Sequence, residues 1–164
     1  MSIGRSHIHV KAMLVAAHSD SSRHLVSLNA PTIENPLGFH RLIGGGVERG
    51  ETHEEALRRE VQEELQADIV DLTFLGVVEN IFRYNGELGH EIVALYSGRL
   101  SPEPAPEGGT LTESDGSIVP ILWRPFDDTD VSIPLYPSAA DGWIHDVGAH
   151  AVAQEHEGRP GRRG

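Results

Sequence analysis

The chain contains no cysteine. Disulfides and thiolate metal sites are therefore excluded. It also lacks any apolar run of the roughly 18 residues that a membrane-crossing helix needs. Its first ten residues hold no extended apolar stretch, so a signal peptide is not expected and a cytoplasmic location is. Positive charge is scarce: 13 Lys and Arg stand against 25 Asp and Glu, a formal net charge of −12. That balance opposes broad binding to nucleic acid polymers or anionic membranes. A phosphorylated small molecule remains compatible if a bound cation supplies local positive charge. Histidine is plentiful, at ten, but scattered. No pair has helical His-x-x-x-His spacing, so a histidine metal site is not expected.

The 164 residues fit one domain with a substantial core. Residues 8–17 read as a buried strand and 23–28 as its hairpin partner across a polar turn. A proline-bearing loop at 29–37 precedes a short strand at 39–43. Beyond the central helix, 69–80 reads as a strand broken by Gly76. Residues 81–84 lead into Asn85-Gly86, a strong hairpin turn, and 90–100 return. Residues 101–109 are rich in Pro, Glu and Gly and read as exposed loop. Another strand spans 117–123, and a short second helix 134–147. The domain is expected to occupy residues 1–147. Residues 148–164, polar and glycine-bearing, are expected to form a disordered tail. This order predicts an α/β (α+β) chain with a mixed sheet covered by helices. The oligomeric state is not fixed by the sequence; a homodimer is kept as one expectation.

The most informative stretch runs from Leu42 to Leu65. Gly44, Gly45 and Gly46 have no Cβ, so their backbone can approach a ligand closely. A tight turn between strand and helix would explain them equally well. Thr52 and Glu55 have capping-box spacing, which starts a helix at that point. Leu57, Val61 and Leu65 fall at i, i+4, i+8 and form an apolar stripe. Glu60, Glu63 and Glu64 share an arc roughly 100° wide beside it. Like charges so spaced repel by roughly a few tenths of a kcal/mol per pair. A divalent cation would reverse that repulsion, and hard cations prefer oxygen ligands. A solvated acidic face is the plainer account of the carboxylates alone.

Taken jointly, Gly45, five residues, Glu51, seven residues, then Arg59-Glu60-Val61-Gln62-Glu63-Glu64 resembles the Nudix box. Every fixed charged position and the first glycine match. The box's second glycine is replaced by Gln66 and the following aliphatic by Ala67. A non-glycine residue in the left-handed region costs on the order of 1 kcal/mol, so the helix is expected to end differently, near Asp68.

The resemblance implies a Nudix-type α/β/α sandwich around a mixed sheet. It implies hydrolysis of a pyrophosphate linkage in a nucleoside diphosphate joined to another group, with Mg²⁺ as cofactor and Mn²⁺ as a substitute. By matching positions, Glu60, Glu64 and the Gly44 carbonyl are the expected metal ligands. Glu63 is either a further ligand or the general base, and Glu51 and Arg59 pair to hold loop to helix. Outside the box, Phe82, Tyr84 and Trp123 are candidates to stack on a base, and Arg83 to meet a phosphate. Glu91 is the candidate for one more catalytic carboxylate, with His90, Arg83 or solvent as its plainer partners. Glu79, Glu113 and Asp115 compete for that role. Two rivals remain: a binding module on the same fold that senses a nucleotide without cleaving it, and an isomerase, which would need further ligands.

Overall fold

The computed structural model describes residues 7–130 and 132–157. Its elements are β1 (His9–Ala17), β2 (Arg23–Asn29), β3 (Phe39–Gly46), α1 (His53–Leu65), β4 (Asp68–Tyr84), β5 (Glu87–Ser101), β6 (Gly109–Thr112), β7 (Ile118–Pro125), β8 (Leu135–Tyr136) and α2 (Asp141–Glu157). The strands form one sheet in the order β4-β5-β1-β3-β2-β7-β6, with β8 added to β3. The pairs β1–β5 and β3–β8 are parallel and the others antiparallel, so the sheet is mixed.

β1 shows why the molecule is layered. Ala12, Leu14 and Ala16 face one core with Leu57 and Val61 of α1. Met13 and Val15 face another with Ala140 and with Ile144 of α2. A strand buried on both faces must be apolar at consecutive positions, as the run from Ala12 to Ala16 is. The result is the α/β/α arrangement expected from the sequence. None of the described helices is long and apolar enough to cross a membrane.

α1 begins as its capping box requires. The Thr52 hydroxyl accepts from the Glu55 N–H at 3.1 Å, and the Glu55 carboxylate accepts from the Thr52 N–H at 2.8 Å. Its end corrects one expectation. Gln66 itself takes the left-handed conformation (φ 50°, ψ 42°), directly after Leu65. Its N–H donates to the Gln62 carbonyl at 3.1 Å, and its side-chain amide donates to the Glu63 carbonyl at 3.0 Å. The amide satisfies a helix-end carbonyl that glycine would leave to solvent, which offsets part of the backbone cost.

Three further expectations change. β4 is one strand through Gly76, bent by register shifts after Val70 and Phe74. Gly76 is a packing position: a Cβ there would stand 2.9 Å from the Trp143 ring. The loop expected up to residue 109 ends in a short strand, β6, which forms a hairpin with β7. Finally, residues 148–157 are helix and not disordered tail. Gly148 packs against Phe126, with a virtual Cβ 2.8 Å from the ring, and Ala149, Ala151 and Ala153 carry high helix propensity. The rest of the expected tail, 158–164, lies outside the described residues.

Two predictions follow from this packing. Truncation after Val147 should lower the melting temperature by several degrees, because it strips the Gly148 backbone from Phe126; an unchanged thermal melt would show that the second half of α2 does not dock. The other concerns His24, buried on β2 and stacked on Phe126 at 5.0 Å, with no hydrogen-bond partner for Nδ1 among the described residues. Burial, then the Arg124 and His40 charges, lower its pKa from 6.5 to about 4. The unfolded chain thus binds the proton more readily than the folded one. Stability from this group is complete above pH 6.5 and is lost as pH falls toward 4. Denaturant melts of wild type and His24→Leu at pH 7 and pH 4.5 should show the smaller acid loss in the variant.

Candidate active site

The antiparallel β1–β3 pairing sets the loop against the sheet. Gly44 lies opposite Met13, Gly45 opposite Ala12 and Gly46 opposite Lys11. Gly44 has φ 144°, and a Cβ on it would run into the Ala12 carbonyl. Gly45 is bare for a different reason. A Cβ there would stand 2.7 Å from both carboxylate oxygens of Glu60. The Glu60 carboxylate therefore lies directly on the Gly45 backbone, which only glycine permits.

Arg59 clips the loop to the helix. Its Nε and Nη2 donate to the two Glu51 oxygens at 2.6 and 3.0 Å, a bidentate pair. Nη2 also donates to the Gly46 carbonyl at 3.1 Å, and Nη1 to Glu60 Oε1 at 3.0 Å. The Glu51 carboxylate in turn accepts from the Glu48 N–H at 2.9 Å. Arg59 holds the Glu51 carboxyl down at about 2. The ion pair expected from the sequence is thus present, and the guanidinium is occupied within the loop.

Beside it, Glu60 and Glu64 face one another across a helical turn. Burial, followed by the Glu60 and Glu113 charges and a hydrogen bond with Glu60, raises the Glu64 carboxyl from 4.5 to about 8. Glu63 does not join them: it is exposed and accepts from Arg59 Nη1 at 3.4 Å. Among the described residues no three His, Asp or Glu side chains converge into a finished metal cage. The fit to a divalent cation rests on the Glu60–Glu64 pair instead. Two half-buried carboxyls one helical turn apart are a site where a cation can offset their mutual repulsion. Mg²⁺ usually keeps several waters and takes only one or two protein carboxylates, so the donor set fits. Gly44, the remaining sequence candidate, offers a carbonyl from the same loop.

Two cations near this pair were missed in the sequence. Lys11 is the only lysine of the chain. It is largely buried, and a Cβ on Gly46 would lie 3.9 Å from its Nζ. Burial and the Arg41 charge lower its pKa, while Glu91, Glu60 and Glu113 oppose that shift. Arg41 donates to Glu91 at 3.1 and 3.4 Å. A single lysine within an otherwise apolar strand was the available signal for the first. Nothing local marks Arg41.

Glu91 is 4% exposed, and its partners are Arg41 and the Asn80 amide at 3.2 Å, not His90 or Arg83. Of its competitors, Glu79 pairs with His90 at 3.6 Å and Asp115 accepts from the Ser117 N–H at 2.9 Å. Glu113 acts on Glu64. Phe82 and Tyr84 line a pocket with Phe39, Tyr136 and Arg41. Arg83 borders it, but its guanidinium donates to the Gly86 carbonyl at 3.1 Å. Trp123 is a core residue: Nε1 donates to the Ala105 carbonyl at 2.9 Å, and the ring meets His18 edge-on at 4.6 Å. It does not join Phe82 and Tyr84.

Gly45→Ala should leave the fold intact, because the helix end of Glu60 is the part able to yield, but it should displace that carboxylate. Turnover is expected to fall by on the order of 10²-fold with little change in melting temperature. Unchanged kinetics in a folded variant would show that the Glu60 position is immaterial.

The family model for the NUDIX domain matches residues 10–146. Among solved structures, a MutT NUDIX hydrolase from Burkholderia pseudomallei is 26% identical, with a TM-score of 0.61 over 86% of this chain and 98% of its own. A MutT structure from work on Aliivibrio salmonicida and Vibrio cholerae is 18% identical, with a TM-score of 0.55 over 88% and 99%. A NUDIX hydrolase from Nitrosomonas europaea is 18% identical, with a TM-score of 0.51 over 93% and 90%. The last two support the fold alone. A search of the curated proteins returned no match. The box residues, the layered fold and the family match lead to one conclusion: the chain belongs to the NUDIX family and is a hydrolase of its pyrophosphate-cleaving kind.

Proposed function

We propose that this hydrolase is Mg²⁺-dependent and cleaves the pyrophosphate linkage of a nucleoside diphosphate joined to another group. The observation that carries the reading is the half-buried Glu60–Glu64 pair, with the Glu60 carboxylate laid on the Gly45 backbone. Glu60, Glu64 and the Gly44 carbonyl are the residues that would hold the cation. When bound, it offsets phosphate charge and polarises the phosphoryl oxygens.

The chain's own residues do the rest. Lys11 and Arg41 receive phosphoryl oxygens, and Glu91 with Asn80 fixes the Arg41 guanidinium. Glu51 and Arg59 keep the loop closed on the helix and touch no substrate. Glu63 stays with Arg59 and adds negative charge at the rim. Phe82 and Tyr84 offer ring faces to the base. Arg83 remains on its hairpin turn. Glu113 accepts a proton from the attacking water. The water oxygen bonds to phosphorus, and the bridging P–O bond breaks with its electron pair going to the leaving phosphate.

A screen of nucleoside diphosphate derivatives, with products separated by chromatography, tests the reading. Turnover should vanish with excess chelator and return with Mg²⁺ or Mn²⁺. Glu64→Gln should lower kcat by on the order of 10²-fold while preserving the fold. Glu113→Gln should lower kcat, whereas Glu91→Gln should mainly raise KM. The opposite pattern would make Glu91 the base. Undiminished turnover in chelator would sink the metal-dependent mechanism, and tight binding without product release would favour the sensing module.

A further inference from the structure

The outermost strand of the sheet is unprotected. Among the described residues no strand lies beyond β4. Proteins usually guard such an edge with lysine, proline, a bulge or a short strand. The bulges of β4 lie before Gly76. From Gly76 to Tyr84 the strand pairs regularly with β5 and contains neither lysine nor proline. Nine residues of edge backbone are thus available for pairing.

The side chains along this segment alternate as a strand requires. Val77, Glu79, Ile81 and Arg83 share the face on which Ala94, the cross-strand neighbour of Val77, joins the α1-side core. α1 leaves this end uncovered: Val77 is 54% exposed, Ile81 58%, and Leu88, opposite Arg83, 57%. Glu79 and Arg83, of opposite sign, are the only charged side chains between Gly76 and Tyr84.

We propose that this edge pairs with β4 of a second copy of the chain, antiparallel, about a two-fold axis at Ile81. The charges select the register. A two-fold axis perpendicular to the sheet keeps residues of the same face opposite one another. An axis at Glu79 would set two Glu79 carboxylates face to face, which is destabilising. An axis at Ile81 sets Glu79 opposite Arg83 of the partner subunit, twice by symmetry, with Ile81 meeting its own copy between them. Opposite charges directly across a ladder stabilise it, and symmetric dimers repeat each contact. In the single chain Glu79 has only His90, at 3.6 Å, and Arg83 only a turn carbonyl as described partners. Both side chains remain exposed enough to reach across.

Sedimentation velocity over a concentration series tests this with full-length protein. Wild type should dimerise. Glu79→Arg and Arg83→Glu should each raise the dimer Kd by about tenfold or more, since each turns two attractions into repulsions. The double variant Glu79→Arg/Arg83→Glu should recover most of the wild-type Kd. Ile81→Lys should be monomeric with an unchanged circular dichroism spectrum, because the side chain is exposed in the single chain. A wild type that stays monomeric up to hundreds of micromolar would overturn the proposal. So would a dimer unaffected by Ile81→Lys, or charge reversals that fail to rescue one another. None of these outcomes depends on the substrate or the metal.

Discussion

Two carboxyl groups one helical turn apart, half-buried beside a bare backbone, repel each other unless a positive charge or a proton stands between them. Glu60 and Glu64 are in that position, and the rest of the site is arranged around it. The Glu60 carboxylate can lie where it does only because Gly45 has no Cβ. Burial and the Glu60 charge both disfavour the charged form of Glu64 and push its carboxyl up to about 8. A folded chain gains nothing from this arrangement by itself. It becomes favourable when a ligand brings positive charge, so the site binds at the expense of intrinsic stability.

The distribution of the few cations supports the same view. Among 13 basic residues, Lys11, Arg41 and Arg59 all lie around the acidic pair. Their tasks differ. Arg59 is saturated by Glu51, Glu60 and the Gly46 carbonyl and acts as a brace. Arg41 is held on one side by Glu91. Lys11 carries no such clamp among the described residues; it is desolvated, which disfavours its charge, and surrounded by carboxylates, which favour it. A diphosphate arriving with its cation would meet a braced arginine, an oriented arginine and a lysine, in a molecule whose net charge otherwise repels it.

Much of this site was legible in the sequence because the box is local. Glycine loop, capping box and helix lie within a few turns of one another, so spacing alone predicts which groups meet. The helix start follows directly from it, and the Glu51–Arg59 pair from the resemblance to the box. What spacing could not give was the direction of Glu63, which one hydrogen bond to Arg59 draws away from Glu60 and Glu64. Nor could it give contacts made by sheet topology. Lys11 and Glu91 come together because β1 and β5 are parallel neighbours, with His9 opposite Glu91. Arg41 reaches the same place from β3. A parallel pairing over some eighty residues of chain leaves no local trace. For that reason the sequence offers His90, Arg83 or solvent as partners of Glu91, whereas the sheet supplies Arg41 and Asn80.

Glycine read as punctuation accounts for one turn of the fold and for two of its corrections. At Asn85-Gly86 that reading holds, since Asn85 and Gly86 both have positive φ in a two-residue turn. At Gly76 and Gly148 it fails. Neither is at positive φ; each is small because an aromatic ring lies on it, Trp143 on Gly76 and Phe126 on Gly148. The two contacts are complementary: Trp143 and Gly148 both belong to α2, so the helix puts a ring into the sheet at one point and accepts a ring from β7's end at another. Together they fix how α2 lies on the sheet. A glycine that serves packing leaves the backbone in its regular conformation, so helix and strand continue through it. The residue before or after it carries no sign of this; only the ring that fills the gap does, and that ring lies far away in sequence.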